Sequence, residues 1–281
     1  MNKGFELITE NGRQIVRGLG HYEATYVSDI RELIKKSRSK YGSKTAFKYK
    51  NNGNIIEKTY IDLDNDVNAL GTALHDLGIE NSYISILSEN RYEWGVAYFS
   101  IINGTGVGVP FDKYLPQNEV ENLVSRAGVE AIFYSETYQE MMLSFSKTET
   151  TIRHFICMDE IELPSSDTRF IKMSTLLEGG RLLLNNGNRS FVDADIDKEK
   201  MSILLFTSGT TKMSKGVMLS HKNIVSNVSS VSALIEIYPT DIHLSILPLH
   251  HTFENTIGLM FMIMSGITIC YSEGIRHLAQ N

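Results

Sequence analysis

The chain is poor in cysteine, has no excess of positive charge and contains no long uninterrupted apolar run. Its two cysteines, Cys157 and Cys270, show no C-x-x-C spacing and are too few for a disulfide scaffold. We therefore expect both to be buried packing residues in a reducing compartment. The net charge of −6 and the pI of about 5.8 argue against a general nucleic-acid binder, because such a protein needs a basic face.

Membrane insertion and secretion are also disfavoured by the sequence. The most apolar stretch, residues 256–270, has fifteen residues and is interrupted by Ser265-Gly266, which is too short to cross a bilayer. Residues 1–12 lack the apolar core of a secretory signal. We expect a cytoplasmic protein, and 281 residues with 42% hydrophobic content suit one large α/β domain or two packed lobes.

Apolar periodicity predicts an alternation of helices and strands. Helices are expected at 28–41 and 61–78, with a hairpin of 45–49 and 55–60 between them. Strand-like runs follow at 83–87, 131–134, 154–158, 201–206, 243–247 and 267–270. This order predicts crossover connections and mostly parallel sheets flanked by helices. The polar stretch 185–200 predicts a boundary between a first lobe, 1–190, and a second lobe, 191–281.

A hydroxyl-rich segment between two glycines, T-S-G-T-T-K-M-S-K-G, occupies residues 207–216. Backbone N–H groups, hydroxyls and one ammonium can converge there on the oxyanions of a polyphosphate. It is not a Walker A loop, since Ser214 precedes Lys215 and Gly216 follows it. The alternative is a simple Ser/Thr/Gly connection between strands. The predicted nucleotide-binding residues are Thr207, Ser208, Gly209, Thr210, Thr211, Lys215 and Gly216.

A second motif, L-P-L-H-H-T-F-E, covers residues 247–254. A metal site at His250, His251 and Glu254 is disfavoured, because adjacent histidines diverge on a helix and the H-E-x-x-H spacing is absent. A third stretch, S-E-N-R-Y-E-W, covers residues 88–94. The nearby glycines 104, 106 and 108 lack the dinucleotide spacing and predict a tight helix-to-strand turn.

These motifs resemble those of the adenylate-forming enzymes, whose phosphate-binding pattern is [ST]-S-G-[ST]-T-G-x-P-K-G. Eight of ten positions fit; Lys212 replaces the pattern's glycine and Ser214 its proline. Residues 247–254 are similar to the L-P-L-x-H-x-x-E segment of long-chain acyl-CoA synthetases, and residues 88–94 to the family's S-E-N-R-x-E-W turn. The resemblance begins near Glu23 and stops before the family's Y-G-x-T-E, T-G-D and D-R-x-K motifs. We therefore expect an N-terminal fragment of the firefly-luciferase-like fold, without its C-terminal domain and inactive alone.

The resemblance implies a reaction in which ATP activates a fatty carboxylate to an acyl-adenylate, which then passes to the thiol of coenzyme A. It implies catalytic roles for Lys215 and His251, cofactor binding by Glu254, and Mg²⁺ binding by Thr207. Peripheral membrane contact and a homodimer stay open, and no nucleic-acid partner is expected. The alternatives are an adenylation domain that loads a carrier-protein thiol and a non-catalytic nucleotide- or partner-binding module. A kinase-like or hydrolytic enzyme is disfavoured, because Walker A and G-x-S-x-G are absent.

Overall fold

The computed structural model describes residues 5–18, 22–51, 53–148, 150–207 and 214–272. The helices are α1 (Ile30–Tyr41), α2 (Tyr60–Asp76), α3 (Tyr92–Ser100), α4 (Gln117–Ala127), α5 (Gln139–Phe145), α6 (Met173–Asn185), α7 (His221–Ser232) and α8 (Met262–Met264). Two π-helical segments, Ile101–Thr105 and Glu254–Phe261, follow α3 and precede α8. The strands are β1 (Phe5–Glu10), β2 (Arg13–Gly18), β3 (Thr45–Asn51), β4 (Asn54–Thr59), β5 (Ser82–Leu87), β6 (Gly106–Pro110), β7 (Val129–Tyr134), β8 (His154–Cys157), β9 (Phe170–Lys172), β10 (Met201–Thr207), β11 (Lys215–Ser220), β12 (Ile242–Ser245) and β13 (Thr268–Tyr271).

The larger sheet has seven strands in the order β11-β10-β6-β5-β7-β8-β9. All neighbouring strands are parallel except β10 and β11. Its strands are apolar on both faces: Ala131 and Phe133 of β7 belong to one hydrophobic core, and Ile132 and Tyr134 to a second. The prediction of a mostly parallel sheet covered on both faces is confirmed.

A second sheet has four strands in the order β12-β13-β3-β4. Strand β13 is parallel to both β12 and β3, so it joins residues from the two halves of the chain. Likewise β10 pairs with β6 in the larger sheet. Each main sheet therefore combines strands from both sides of residue 190, and the lobe boundary proposed there stays a prediction.

Local signals account for several helix ends. Asp29 caps α1 by accepting the N–H of Glu32, and Ser220 forms a capping box with Asn223 at the start of α7. Pro116 stands at the N-cap of α4. Gly104, at φ +129°, ends the π-helical turn before β6, so the predicted helix-to-strand turn is confirmed.

Three strands, β1, β2 and β9, were not predicted from the sequence. The hairpin of β1 and β2 turns at Asn11 and Gly12, which both have positive φ, as a two-residue turn between twisted strands requires. Strand β9 has only three residues and pairs with β8 at the edge of the larger sheet.

Cys157 is buried and Cys270 partly buried, and burial raises the pKa of both thiols. Within the described ranges, no helix combines the length and apolarity needed to span a membrane.

Candidate functional site

The hairpin of β10 and β11 carries the candidate phosphate loop. Thr207 is the last residue of β10 and Lys215 the first of β11, and their Cα atoms are register partners. Thr207, Lys215 and Gly216 are all exposed. Ser208, Gly209, Thr210 and Thr211 lie outside the described residues. The structure therefore places the two ends of the predicted loop side by side, with the lysine at the entrance to β11.

Arg126, in the last turn of α4, lies against the same two strand ends. Its guanidinium donates a hydrogen bond to the carbonyl oxygen of Ser214 at 2.8 Å. The guanidinium carbon is also 5.4 Å from the centroid of the Phe206 ring in β10. Sequence reasoning missed this residue, because an exposed arginine on a helix carries no signal of a contact 88 positions away.

His221, the first residue of α7, joins the base of this hairpin to two other segments. Its Nδ1 accepts the backbone N–H of Ile30 at 3.1 Å, so the ring proton is on Nε2, which donates to the carbonyl of Ile102 at 2.9 Å. The ring is 1% exposed. Burial lowers the pKa of His221, partly offset by the bond to Ile102 and by Asp29. This imidazole is a neutral link between α7, α1 and the first π-helical turn.

The segment after β12 presents the two predicted histidines to different surroundings. His251 is exposed; its Nδ1 accepts the N–H of Phe253 at 3.3 Å. His250 is partly buried, with Nε2 3.6 Å from Asp112 Oδ1, and burial lowers its pKa although Asp112 opposes the shift. The described part of the chain contains no group of three or more His, Cys, Asp or Glu side chains that could hold a metal ion.

Glu254 is 3% exposed and begins the second π-helix. Its Oε1 accepts hydrogen bonds from the hydroxyl of Ser245 at 2.6 Å and from His243 Nε2 at 3.3 Å. Gly258 lies one turn further along the π-helix. A Cβ at that position would stand 2.4 Å from the Glu254 carboxyl carbon, so a glycine is needed there to leave room for the buried carboxylate. The carboxylate joins β12 to the π-helix, and cofactor binding by Glu254 stays a prediction.

Asn90, in the S-E-N-R turn after β5, holds the His251 segment from the other side. Its Nδ2 donates to the carbonyl of Leu247 at 2.7 Å and to the hydroxyl of Ser245 at 3.1 Å. Its Oδ1 accepts the N–H of Leu249 at 3.0 Å. The amide therefore brackets Pro248 between two backbone contacts. The motif was recognised in the sequence, but its physical role was not, since the partners lie about 155 residues away.

A mostly parallel sheet that is covered on both faces defines an α/β protein as the class. The chain belongs to the AMP-binding enzyme family, whose model matches residues 34–281.

Relatives within this family include named fatty acyl-CoA synthetases. The chain is 27% identical over 268 residues to fatty acyl-CoA synthetase B of Dictyostelium discoideum, covering 89% of the chain and 40% of that relative. It is 30% identical over 213 residues to the peroxisomal long chain acyl-CoA synthetase 6 of Arabidopsis thaliana, covering 73% and 29%. The chain thus spans less than half the length of these relatives.

The fold is shared with a solved structure, that of a long-chain-fatty-acid-CoA ligase of Archaeoglobus fulgidus. The TM-score is 0.75 at 16% identity, and the match covers 90% of this chain and 48% of the other. The predicted acyl-CoA synthetase fold is confirmed at this level.

Proposed function

We propose that this chain is the nucleotide-binding part of a long-chain fatty acid–CoA ligase. A carboxylate oxygen of the fatty acid attacks the α-phosphorus of ATP and pyrophosphate leaves, giving an acyl-adenylate. The sulfur of coenzyme A then attacks the acyl carbon, and AMP leaves. The observation that carries the proposal is the hairpin of β10 and β11, which brings Thr207 and Lys215 together in a chain of the AMP-binding family.

The proposed role of Lys215 is electrostatic. Its ammonium, exposed at the first residue of β11, neutralises charge that develops on the departing pyrophosphate. The hydroxyls of Ser208, Thr210 and Thr211 are proposed to donate hydrogen bonds to the same oxygens.

His251 is proposed to line the junction between the adenylate and the acyl group. The contact of its Nδ1 with the N–H of Phe253 fixes one edge of the ring. Because the ring is exposed, it can contact a bound carboxylate and shield it from water. Glu254, buried behind it, supports this segment through Ser245.

Thr207 offers a single hydroxyl for the Mg²⁺ that the resemblance implies, and the described residues around it supply no cluster of carboxylates. One hydroxyl fits a Mg²⁺ ion that is held mainly by substrate phosphates and water. When bound, the ion would neutralise phosphate charge. We propose Thr207 as its protein ligand, and we also propose a cytoplasmic location. A homodimer and peripheral membrane contact stay predictions.

The test uses the full-length protein with ATP, Mg²⁺, coenzyme A and a panel of fatty acids from short to long. We expect pyrophosphate and AMP to appear together with a CoA thioester, fastest with a long acyl chain. A carrier-protein thiol in place of coenzyme A tests the alternative acceptor. Formation of ADP, or no pyrophosphate with any carboxylic acid, would overturn the proposal.

A further inference from the structure

Ser214 stands where the related loop pattern has proline, a residue whose ring restrains the backbone. The proline ring holds φ near −65°. Ser214 carries no such restraint, yet it stands directly before Lys215, whose ammonium must be placed accurately if it is to meet a phosphate. Something else must restrain the entry to β11.

Arg126 supplies a restraint of this kind. Its hydrogen bond to the carbonyl of Ser214 fixes the peptide plane that leads into Lys215. The same guanidinium lies over the ring of Phe206, one residue before the end of β10. A planar guanidinium can donate in its plane and stack through its face at once, which an ammonium cannot do. One side chain thus contacts both strand ends at the base of the loop.

Arg126 itself is anchored on a regular element. It lies in the last turn of α4, where a cation is favoured by the helix dipole, and Leu123 and Val124 of the same helix are buried in the second core. The Phe206 ring is in turn packed near Phe111, with ring centroids 6.5 Å apart. The guanidinium therefore holds the backbone before Lys215 in a fixed position relative to the packed helix α4.

We propose that Arg126 is a positioning residue for Lys215, and that it provides by a tertiary contact the backbone restraint that proline provides in the related pattern. It acts through the backbone of Ser214 and the ring of Phe206, so it is not a catalytic residue. Its effect on ATP binding rests on the proposed function. Its effect on the entry to β11 does not.

The first test is ATP binding by the full-length protein carrying Arg126→Ala. We expect the Kd for ATP to rise about tenfold, equivalent to about 1.4 kcal/mol, as for loss of one charge-assisted hydrogen bond. Arg126→Lys should give an intermediate Kd, since lysine keeps the charge but cannot make both contacts. Arg189→Ala is the matched control, because it removes an exposed arginine that pairs with Asp193. An Arg126→Ala protein that binds ATP like the wild type overturns the proposal.

The second test is rescue. Ser214→Pro in the Arg126→Ala background should return the Kd to within about threefold of wild type, because the two restraints act on the same backbone and are therefore not additive. Ser214→Pro alone should change the Kd little. If Ser214→Pro alone binds normally and fails to rescue Arg126→Ala, the restraint is not the one we propose.

A third measurement is independent of ATP. Amide hydrogen exchange over residues 215–218 should be faster in Arg126→Ala than in wild type, and unchanged in Arg189→Ala. Equal exchange in Arg126→Ala and wild type overturns the restraint, whatever the binding data show. If the wild-type protein binds no ATP, the proposed function fails while faster exchange still supports the restraint. The same measurement decides the matter if Ser214→Pro disturbs binding by itself.

Discussion

At the scale of single residues, Lys215 and Lys222 are two exposed lysines with different surroundings. Lys215 opens β11 beside the candidate phosphate loop, whereas Lys222 pairs with Glu199 at 2.7 Å on the surface of α7. A charge at the loop contributes to binding phosphate oxygens; a surface ion pair contributes little. Replacing one lysine or the other by alanine therefore changes the net charge equally, so the two variants differ only in which lysine is lost.

We expect Lys215→Ala in the full-length protein to lower the rate of pyrophosphate release about 100-fold or more, because a positioned charge at the transferred phosphates is lost. Lys222→Ala should leave the rate within about twofold, as for an exposed residue away from the site. Steady-state pyrophosphate release with saturating ATP measures both. Equal rates in Lys215→Ala and wild type would remove the lysine from the proposed mechanism.

His221 gives a prediction about pH. Its folded-state pKa is lowered from 6.5 by burial, so the unfolded chain takes up this proton first as the pH falls. The contribution of the neutral ring is fully present above about pH 6.5 and is lost as the pH falls below it. His154 and His250 are shifted in the same direction and add to the slope.

We expect the free energy of unfolding to decrease from about pH 7.5 to about pH 5.5, and to decrease less steeply in His221→Asn. Asparagine keeps an acceptor near Nδ1 for the N–H of Ile30 but has no group that titrates. Chemical denaturation at several pH values measures the slope. His251→Asn, which removes an exposed ring, serves as the comparison. A His221→Asn slope as steep as that of wild type would contradict the assignment.

At the scale of elements, the crossing of α2 and α6 depends on one glycine. A Cβ at Gly180 would stand 1.8 Å from the carbonyl oxygen of Ala69 in α2, while a Cβ at the adjacent Gly179 meets nothing within 4 Å. Both residues lie inside α6. Comparing an alanine substitution at each of the two glycines therefore distinguishes the effect of helix propensity from that of close packing.

Gly180→Ala should lower the free energy of unfolding by about 1–3 kcal/mol or more, because the two helices must move apart. Gly179→Ala should raise it by about 0.5–1 kcal/mol, since alanine favours the helix and meets no neighbour. Urea unfolding of both variants gives the comparison. Equal effects of the two substitutions would show that the helices do not approach as closely as described.

The elements also show how far sequence reasoning reaches. Strands β5 and β7 and helices α1 and α2 follow from local signals: apolar runs, periodicity and caps. Pairing of β13 with β3 does not, because it joins residues more than 200 positions apart and depends on packing. The π-helical form of the segment that begins at Glu254 was also not predicted; in it, the buried carboxylate lies close to Gly258.

The candidate site shows the same division. The motif predicts Lys215 and Thr207 at the ends of a loop, and the structure places them opposite each other. No pattern predicts Arg126 or the role of Asn90, because each acts through a contact with a distant segment. Motifs identify groups that meet a ligand, while the groups that hold them in place are found only in the fold.

At the scale of the whole molecule, Asn90 links the two main sheets. It follows β5 of the seven-stranded sheet and donates to Ser245, the last residue of β12 in the four-stranded sheet. The Ser245 hydroxyl donates its own hydrogen bond to Glu254, so a continuous chain of hydrogen bonds runs from one sheet to the π-helix. The two backbone contacts of Asn90 add Leu247 and Leu249 to this link.

Asn90→Ala removes the amide donor and the amide acceptor of this residue. The N–H of Leu249 and the carbonyl of Leu247 then lose their hydrogen-bond partner. We expect the free energy of unfolding to fall by about 1–3 kcal/mol, because the N–H of the buried Leu249 loses its acceptor, whereas the exposed Leu247 carbonyl can bond to water. Asn90→Asp keeps an acceptor for the Leu249 N–H but offers no donor to Leu247, so exchange of the Leu249 amide should stay slow in that variant and become fast in Asn90→Ala. Asn227→Ala, which removes an exposed amide bonded only within α7, should change stability by less than about 0.5 kcal/mol. If Asn90→Ala is as stable as Asn227→Ala and protects Leu249 equally well, the hydrogen bonds of Asn90 do not stabilise the contact between the two sheets.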